Sequence, residues 1–378
     1  MAEVRWTHGG LAHVATWRSE AGVPAPTHVA LVDDRTRADE ALRRIRRGEQ
    51  LLYVGDFQNA RQLLASLGRR LEKSRRWPVP RTALEAFRQE RQRRGEEHAL
   101  LSRLLVPLDD TYTVALRRGP KLRDACEPVW GPPAPGTFTV VALRELLGMV
   151  GAAEWRKKGV RVEGLPGPIH PHYGVFSPTR PEYTGLIRAA PAPTGKRVFE
   201  IGTGTGVLSF LLLARGASEV VATDIDPRAV ACAAENAERL GFGPDRFRVL
   251  ERPLFPDGQA DLVVCNPPWI PERPKTRIDR AIYDEDSAVL RGFFAGLADH
   301  LAPGGQGWLI LSDLPELIGL REAGWLNEQL DAAGLRTVWR RSVAPQHPRA
   351  KDPTDPLHRV RSRETTRLYA LEPIVRRR

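Results

Sequence analysis

The chain has 378 residues, 42 % apolar and 27 % charged, enough for a real core and for two domains or one large domain with an extension. Its longest apolar run, 207–214, is broken only by Ser209 and falls far short of the ~20 residues a membrane helix needs, so no membrane partner is expected. Cys126, Cys232 and Cys265 are isolated, which argues against a disulfide framework or a zinc knuckle. The opening MAEVRWTHGG lacks the basic-then-apolar pattern of a signal peptide, and a cytoplasmic location is expected.

The net charge of +11 comes from 57 basic and 46 acidic residues, and all but seven of the basic ones are Arg. Residues 1–165 hold 29 basic and 20 acidic residues, 166–339 hold 17 and 22, and 340–378 hold 11 and 4. Positive charge at both ends of an acidic middle suits a polyanionic partner; solvated helix faces and a basic tail are the other reading.

In chain order, 27–73 reads as strand, helix, strand, helix, with Thr36 and Asp56 as N-caps. The run 69–94, with ten basic and three acidic residues, reads as a loop entering a long basic helix over about 82–105. TYTVALRR (111–118) reads as a strand, GPPAPG (131–136) as a break, and 138–159 as one amphipathic helix. Gly and Pro recur through 164–174, which sets the expected boundary: an N-terminal α/β domain over 1–165, for substrate recognition, and a second domain over 166–378.

The second half alternates cleanly. Strands are expected at 197–201, 219–223, 246–250, 261–265 and 308–312, with helices at about 206–215, 227–240, 287–301 and 316–333. That alternation argues for a doubly wound α/β fold with a mostly parallel sheet. Strand candidates at 335–342 and 366–371 flank a Pro/Arg-rich segment that is long for a hairpin loop.

Two motifs carry chemistry. VFEIGTGTGVLSFLLLA places Gly202, Gly204 and Gly206 between an apolar strand and an apolar helix, where backbone must turn sharply and pass close to a ligand. Asp224 ends the next strand, 22 residues after Gly202, where a carboxylate accepts ribose hydroxyls. Asp226, followed by Pro227, fills the helix-capping role and leaves Asp224 as the ligand.

The second motif is DLVVCNPPWIP. Pro267 and Pro268 lock the backbone and remove N–H donors. What remains is mostly acceptors, the Asn266 side-chain oxygen and the Pro267 carbonyl, which suit a substrate –NH2, while Trp269 offers a π face to a planar group. A flat amide or an exocyclic base amine is therefore the expected acceptor.

EIGTGTG, TDIDP, NPPW and HLAPGGQGWLILS, in that order over roughly 170–373, resemble the class I S-adenosylmethionine-dependent methyltransferases. The closer likeness is to the small-domain branch, which holds HemK-type glutamine N5-methyltransferases and ribosomal RNA guanine-N2 methyltransferases. GVFS and Arg180-Pro181-Glu182 resemble elements of the two groups in turn. The resemblance implies a seven-stranded Rossmann-like methyltransferase sheet and S-adenosyl-L-methionine as cofactor. It sets Glu200, Gly202, Gly204 and Gly206 at the cofactor, with Asp224 on the ribose and Ile225 on the adenine. It also implies that Asn266 and Pro267 orient the target nitrogen and that Trp269 stacks on its plane. The family often has an acid before LF after the third strand; here Pro253 stands there, leaving adenine recognition to backbone groups or Glu251.

The implied reaction is direct displacement of the sulfonium methyl by nitrogen. Acceptors on both N–H groups return electron density to a delocalised lone pair, and in-line placement supplies the rest. The terminal basic charge favours an RNA base (rRNA or tRNA) as acceptor, with a ribosome or translation-factor protein, modified on glutamine, as the alternative; a small-molecule amine is a third. A nicotinamide dehydrogenase is disfavoured by the GxGxG spacing and by NPPW. His170 and His172 have ligand-like spacing but no clustered third ligand, so no metal is expected; Cys232 and Cys265 are read as core, and residues 284–286 as a helix cap.

Overall fold

The computed structural model describes residues 2–74, 77–276 and 278–374. Arg75 and Arg76 of the basic run and Arg376, Arg377 and Arg378 of the basic tail lie outside the described residues. Two compact units form. One comprises the chain up to Pro80 with Arg88–Glu154, and the other comprises Arg81–Phe87 with the chain from Trp155 onward.

The first unit has a six-stranded sheet. Its elements are β1 (Glu3–His8), β2 (Leu11–Trp17), β3 (Ala30–Val32), α1 (Ala38–Arg46), β4 (Leu51–Tyr53), α2 (Phe57–Ser74), α3 (Ala83–Leu101), β5 (Leu104–Leu108), α4 (Arg123–Trp130), β6 (Thr139–Ala142) and α5 (Leu143–Lys158); α3 and α5 give residues to both units. The strand order is β1-β2-β6-β5-β4-β3. Asp56 caps α2 by accepting the Gln58 N–H at 2.9 Å. Arg37, not Thr36, takes the N-cap position of α1, and Thr36 Oγ1 accepts from Asp33 N instead.

Several expected elements shift in this unit. The helix expected to reach 105 stops at Leu101, and LLVPL is a wholly buried strand. Likewise 139–142 is strand, paired antiparallel with β5, and the helix starts at Leu143. TYTVALRR forms isolated bridges only. The Asp109 carboxylate accepts from Thr111 N and Thr113 N, and this turn bends the chain through a left-handed Tyr112, φ 60°.

The second unit carries α6 (Pro181–Ala189), β7 (Arg197–Ile201), α7 (Val207–Ala214), β8 (Glu219–Asp224), α8 (Pro227–Arg239), β9 (Phe247–Glu251), β10 (Ala260–Cys265), α9 (Ala288–Leu297), β11 (Leu301–Ser312), α10 (Leu314–Ile318), α11 (Trp325–Ala332), β12 (Leu335–Val343), α12 (Pro348–Lys351), α13 (His358–Arg361) and β13 (Thr366–Pro373). Its seven-stranded sheet has the order β12-β13-β11-β10-β7-β8-β9, with β13 antiparallel to both neighbours and the rest parallel. The expected doubly wound, mostly parallel Rossmann-like sheet is present. The expected helix over 316–333 is two helices, because Gly319 and Gly324 take φ of 87° and 92° between them.

The units divide at Glu154–Trp155 and not at 165. Val162 and Ile169 lie in the same core as Leu208, Leu211 and Val264, and Val160 pairs with Ile169. The Gly/Pro-rich stretch is therefore folded onto the second unit. Alternate strand residues feed two cores, one on each sheet face: Val198, Val220 and Val264 enter one, and Phe199, Val221 and Val263 the other. Strand order reverses between β7 and β10, the position at which open α/β sheets leave a crevice beyond the carboxyl ends of the strands.

Candidate active site

Both motifs meet at that crevice. Ile201 of β7 and Cys265 of β10 are register partners, so Gly202 and Asn266 are the next residues out on adjacent parallel strands. Gly202, Gly204 and Gly206 all have positive φ, at 72°, 55° and 84°. A Cβ built on Gly202 or Gly204 would meet nothing within 4 Å, so glycine there serves backbone shape and leaves open space above the loop. A Cβ on Gly206 would run into the Phe210 ring, so close packing onto α7 demands glycine there.

The loop is tied to the end of β8. Gly202 N and Thr203 N both donate to the Thr223 carbonyl at 2.9 Å. Gly204 N donates to Asp224 Oδ2 at 2.9 Å, and Asp226 N to Oδ1 at 3.0 Å. These bonds fix the Asp224 carboxylate while leaving lone pairs on each oxygen for a further donor. Burial raises the Asp224 pKa, against the N–H bonds from Asp226 and Gly204. Asp226 caps α8 through Arg228 N at 2.9 Å, with Pro227 at the first helical position. Beside Asp224, Ile225 is 58 % exposed, an open apolar surface at the rim.

Glu200 lies under the loop, 2 % exposed. Its Oε2 accepts from Thr203 Oγ1 at 2.7 Å, from Ser209 N at 3.2 Å and from Ser209 Oγ–H. It braces the turn from below. Burial drives its pKa up to about 7, and the nearby Asp224 charge adds to the rise, against the Ser209 and Thr203 bonds. From the other side, Asn236 of α8 donates to the Thr205 carbonyl at 3.2 Å and accepts from His170 N at 2.8 Å. The His172 ring pairs with Glu235 at 2.7 Å, so this histidine anchors the chain to α8. Among the described residues, no group of three or more His, Cys, Asp or Glu could hold a metal ion.

In NPPW, Pro267 is buried, while Asn266 and Trp269 are half-buried. Trp269 packs against both cores. Its indole N–H donates to Asn266 Oδ1 at 3.2 Å, and its carbonyl accepts from Arg321 at 3.2 Å. The Arg180 guanidinium lies 5.7 Å from the centre of its ring. Asp284 accepts from Val289 N and Leu290 N and so caps α9, as expected. Near Asp224, Glu251 is its register partner on β9, and the Leu254 carbonyl is taken by Thr223 Oγ1. Cys232 and Cys265 are buried, as expected. Sequence reading did not single out Asn236, Arg321 or Glu364, whose roles come from contacts distant in the chain, nor Thr203 and Ser209, which bond the nearby Glu200.

Residues 189–267 match the family profile of ribosomal protein L11 methyltransferase (PrmA). A release factor glutamine methyltransferase of Cereibacter sphaeroides is 34 % identical over 172 residues, covering 42 % of this chain and 59 % of that protein. A protein of Methanocaldococcus jannaschii named as a protein N5-glutamine methyltransferase is 30 % identical over 163 residues, covering 41 % of this chain and 80 % of its own length. The release factor glutamine methyltransferase of Deinococcus radiodurans is 32 % identical over 200 residues, covering 48 % of this chain and 67 % of its own. The chain belongs to the HemK-type branch of the class I S-adenosylmethionine-dependent methyltransferases. The crevice fits that family's cofactor: open space above Gly202 and Gly204, a fixed carboxylate at the end of β8, and an exposed apolar side chain beside it.

No helix among the described residues is long and apolar enough to cross a membrane.

Proposed function

We propose that this chain transfers a methyl group from S-adenosyl-L-methionine to the side-chain amide nitrogen of a glutamine in a protein of the translation machinery. The observation that carries this reading is the pairing of Gly202 and Asn266 at neighbouring strand ends, which puts the Asn266 side-chain oxygen and the Pro267 carbonyl beside an open glycine turn. The similar proteins are named for protein acceptors, release factors and ribosomal protein L11. That favours protein over the RNA base expected from terminal charge. Three arginines of the basic run, Arg70, Arg93 and Arg94, also pair with Asp39 or Glu90.

In this reading the cofactor supplies an electrophilic methyl on sulfonium. Backbone at Gly202 and Gly204 receives its methionine part, Asp224 its ribose and Ile225 its adenine, with Glu200 holding the loop in shape from beneath. Asn266 Oδ1 and the Pro267 carbonyl accept the two N–H groups of the target amide. The Asn266 oxygen has two lone pairs; the Trp269 N–H takes one and leaves the other for the acceptor. Holding both N–H groups localises the nitrogen lone pair along the line of attack. The nitrogen proton becomes acidic as the N–C bond forms, so no strong base is needed beforehand. The Trp269 ring stacks on the amide plane.

The N-terminal unit, expected over 1–165, serves substrate recognition in this reading; cross-links from a bound acceptor should map to it, and their confinement to the second unit would refute that part. The test of the whole reading uses purified protein and methyl-labelled cofactor with three separate acceptors: a bacterial release factor, ribosomal protein L11 and deproteinised ribosomal RNA. Label is expected on a protein. Label in RNA alone would overturn the proposal.

A further inference from the structure

The segment between β12 and β13, residues 344–365, is not a plain loop. It carries α12 and α13 and reaches the acceptor clamp through buried polar groups. At its start, Gln346 N and His347 N donate to Glu182 Oε1 at 2.7 and 3.1 Å. At its end, Glu364, 2 % exposed, accepts from Ser312 Oγ at 2.7 Å, and the His347 ring lies 3.4 Å from its other oxygen. Ser312 closes β11, the strand beside β10, so this cluster sits at the same sheet edge as NPPW.

Arg180 joins the cluster to the clamp. It precedes α6 by one residue, lies with Nη1 3.6 Å from Glu364 Oε1, and lays its guanidinium over the Trp269 ring. Trp269 in turn donates to Asn266 Oδ1. At 3.6 Å the Arg180–Glu364 link is charge attraction, not a hydrogen bond. A buried carboxylate needs such a partner, and a guanidinium so held favours the negative face of an indole.

We propose that Arg180, held by Glu364 of the β12–β13 segment, is a positioning residue that fixes the Trp269 ring and thereby aims the Asn266 oxygen at the target nitrogen. The inference rests on the methyltransferase reading above. It has a geometric and an electrostatic side. Arg180 covers one face of the indole, which leaves the opposite face for the acceptor plane. Methyl transfer also moves positive charge from sulfur to nitrogen. A bare guanidinium at the clamp would oppose that movement, and Glu364 neutralises it.

Three variants test this: R180M removes the cation, R180K keeps a cation, and E364Q keeps an acceptor for Ser312 but drops the charge. With a release factor as acceptor, R180M is expected to lower kcat about tenfold, with acceptor KM and cofactor Kd within about twofold. R180K should recover most of the loss, and E364Q should reproduce it. The Trp269 indole N–H resonance, assigned by its absence in W269F, should shift in R180M and stay near its native position in R180K; this readout needs no acceptor. An unshifted resonance in R180M, or native kcat in both R180M and E364Q, would overturn the inference. So would loss of cofactor affinity and thermal stability in step with kcat without rescue by lysine. If R180M does not fold, E364Q alone decides by the same kcat criterion. Failure of the native chain to label any protein, with the resonance shift intact, would instead count against the functional reading.

Discussion

Replacing Glu200 by glutamine should flatten the dependence of stability on pH. The Glu200 carboxyl is fully buried, and burial first, then the Asp224 charge, raise it from the ordinary 4.5 to about 7. The folded chain therefore holds this proton more tightly than the unfolded chain. Its contribution to stability is fully present below pH 4.5 and is lost as pH rises through about 7. At about 1.4 kcal/mol per pH unit, that window is worth about 3 kcal/mol as a ceiling. E200Q has no such proton, and its amide oxygen still accepts from Thr203 and Ser209. Denaturant unfolding of both proteins from pH 4.5 to 8 isolates the effect, because every other titrating group is common to them. The native protein should lose stability relative to E200Q across the window, by at most about 3 kcal/mol. Parallel stability curves would show that Glu200 is not held protonated beneath the loop, and the account of the turn would need another brace.

Three further outcomes are expected. G206A forces φ 84° on alanine and drives its Cβ into the Phe210 ring, so unfolding free energy should fall by about 2–4 kcal/mol, and a loss below about 1 kcal/mol would mean that the loop relaxes freely. D224A removes a fixed carboxylate acceptor, so calorimetry should show cofactor affinity lower by about 100-fold; unchanged affinity would remove Asp224 from the binding site. N266A should cut methyl transfer about a thousandfold while leaving cofactor affinity within about twofold, and equal losses in both would contradict its assignment to the acceptor.

The parts of the site that were readable in the sequence are those whose chemistry is local. Three glycines between a strand and a helix, an acid ending the next strand, and prolines after an asparagine each state their backbone geometry within a few residues. The Asp224/Asp226 division was readable for the same reason, since Pro227 marks which acid is the cap. Glu364 and Arg321 were not readable as site residues, because each acquires its role from a partner 52 positions away, and Arg180 was readable only as part of the Arg180-Pro181-Glu182 element, its contact with Glu364 lying 184 positions away. Trp269 stands out in the sequence as an aromatic face, but its N–H bond to Asn266 depends on a side-chain rotamer. In the first unit, LLVPL and TVVA are wholly buried short apolar runs, which periodicity cannot separate from helix. The β1–β2 hairpin did carry a signal, Gly9-Gly10 at positive φ between two alternating runs, and it went unread.

The most direct test of the account is the chemical identity of the methylated nitrogen. Acceptor protein labelled by the purified chain should be digested, the labelled peptide isolated, and that peptide hydrolysed in strong acid. A methylated glutamine amide releases its label as volatile methylamine and leaves unlabelled glutamate, which is the result expected here. Label that stays on an amino acid after hydrolysis would mean methylation of an amine or a carbon, and would contradict a site built to hold a planar amide.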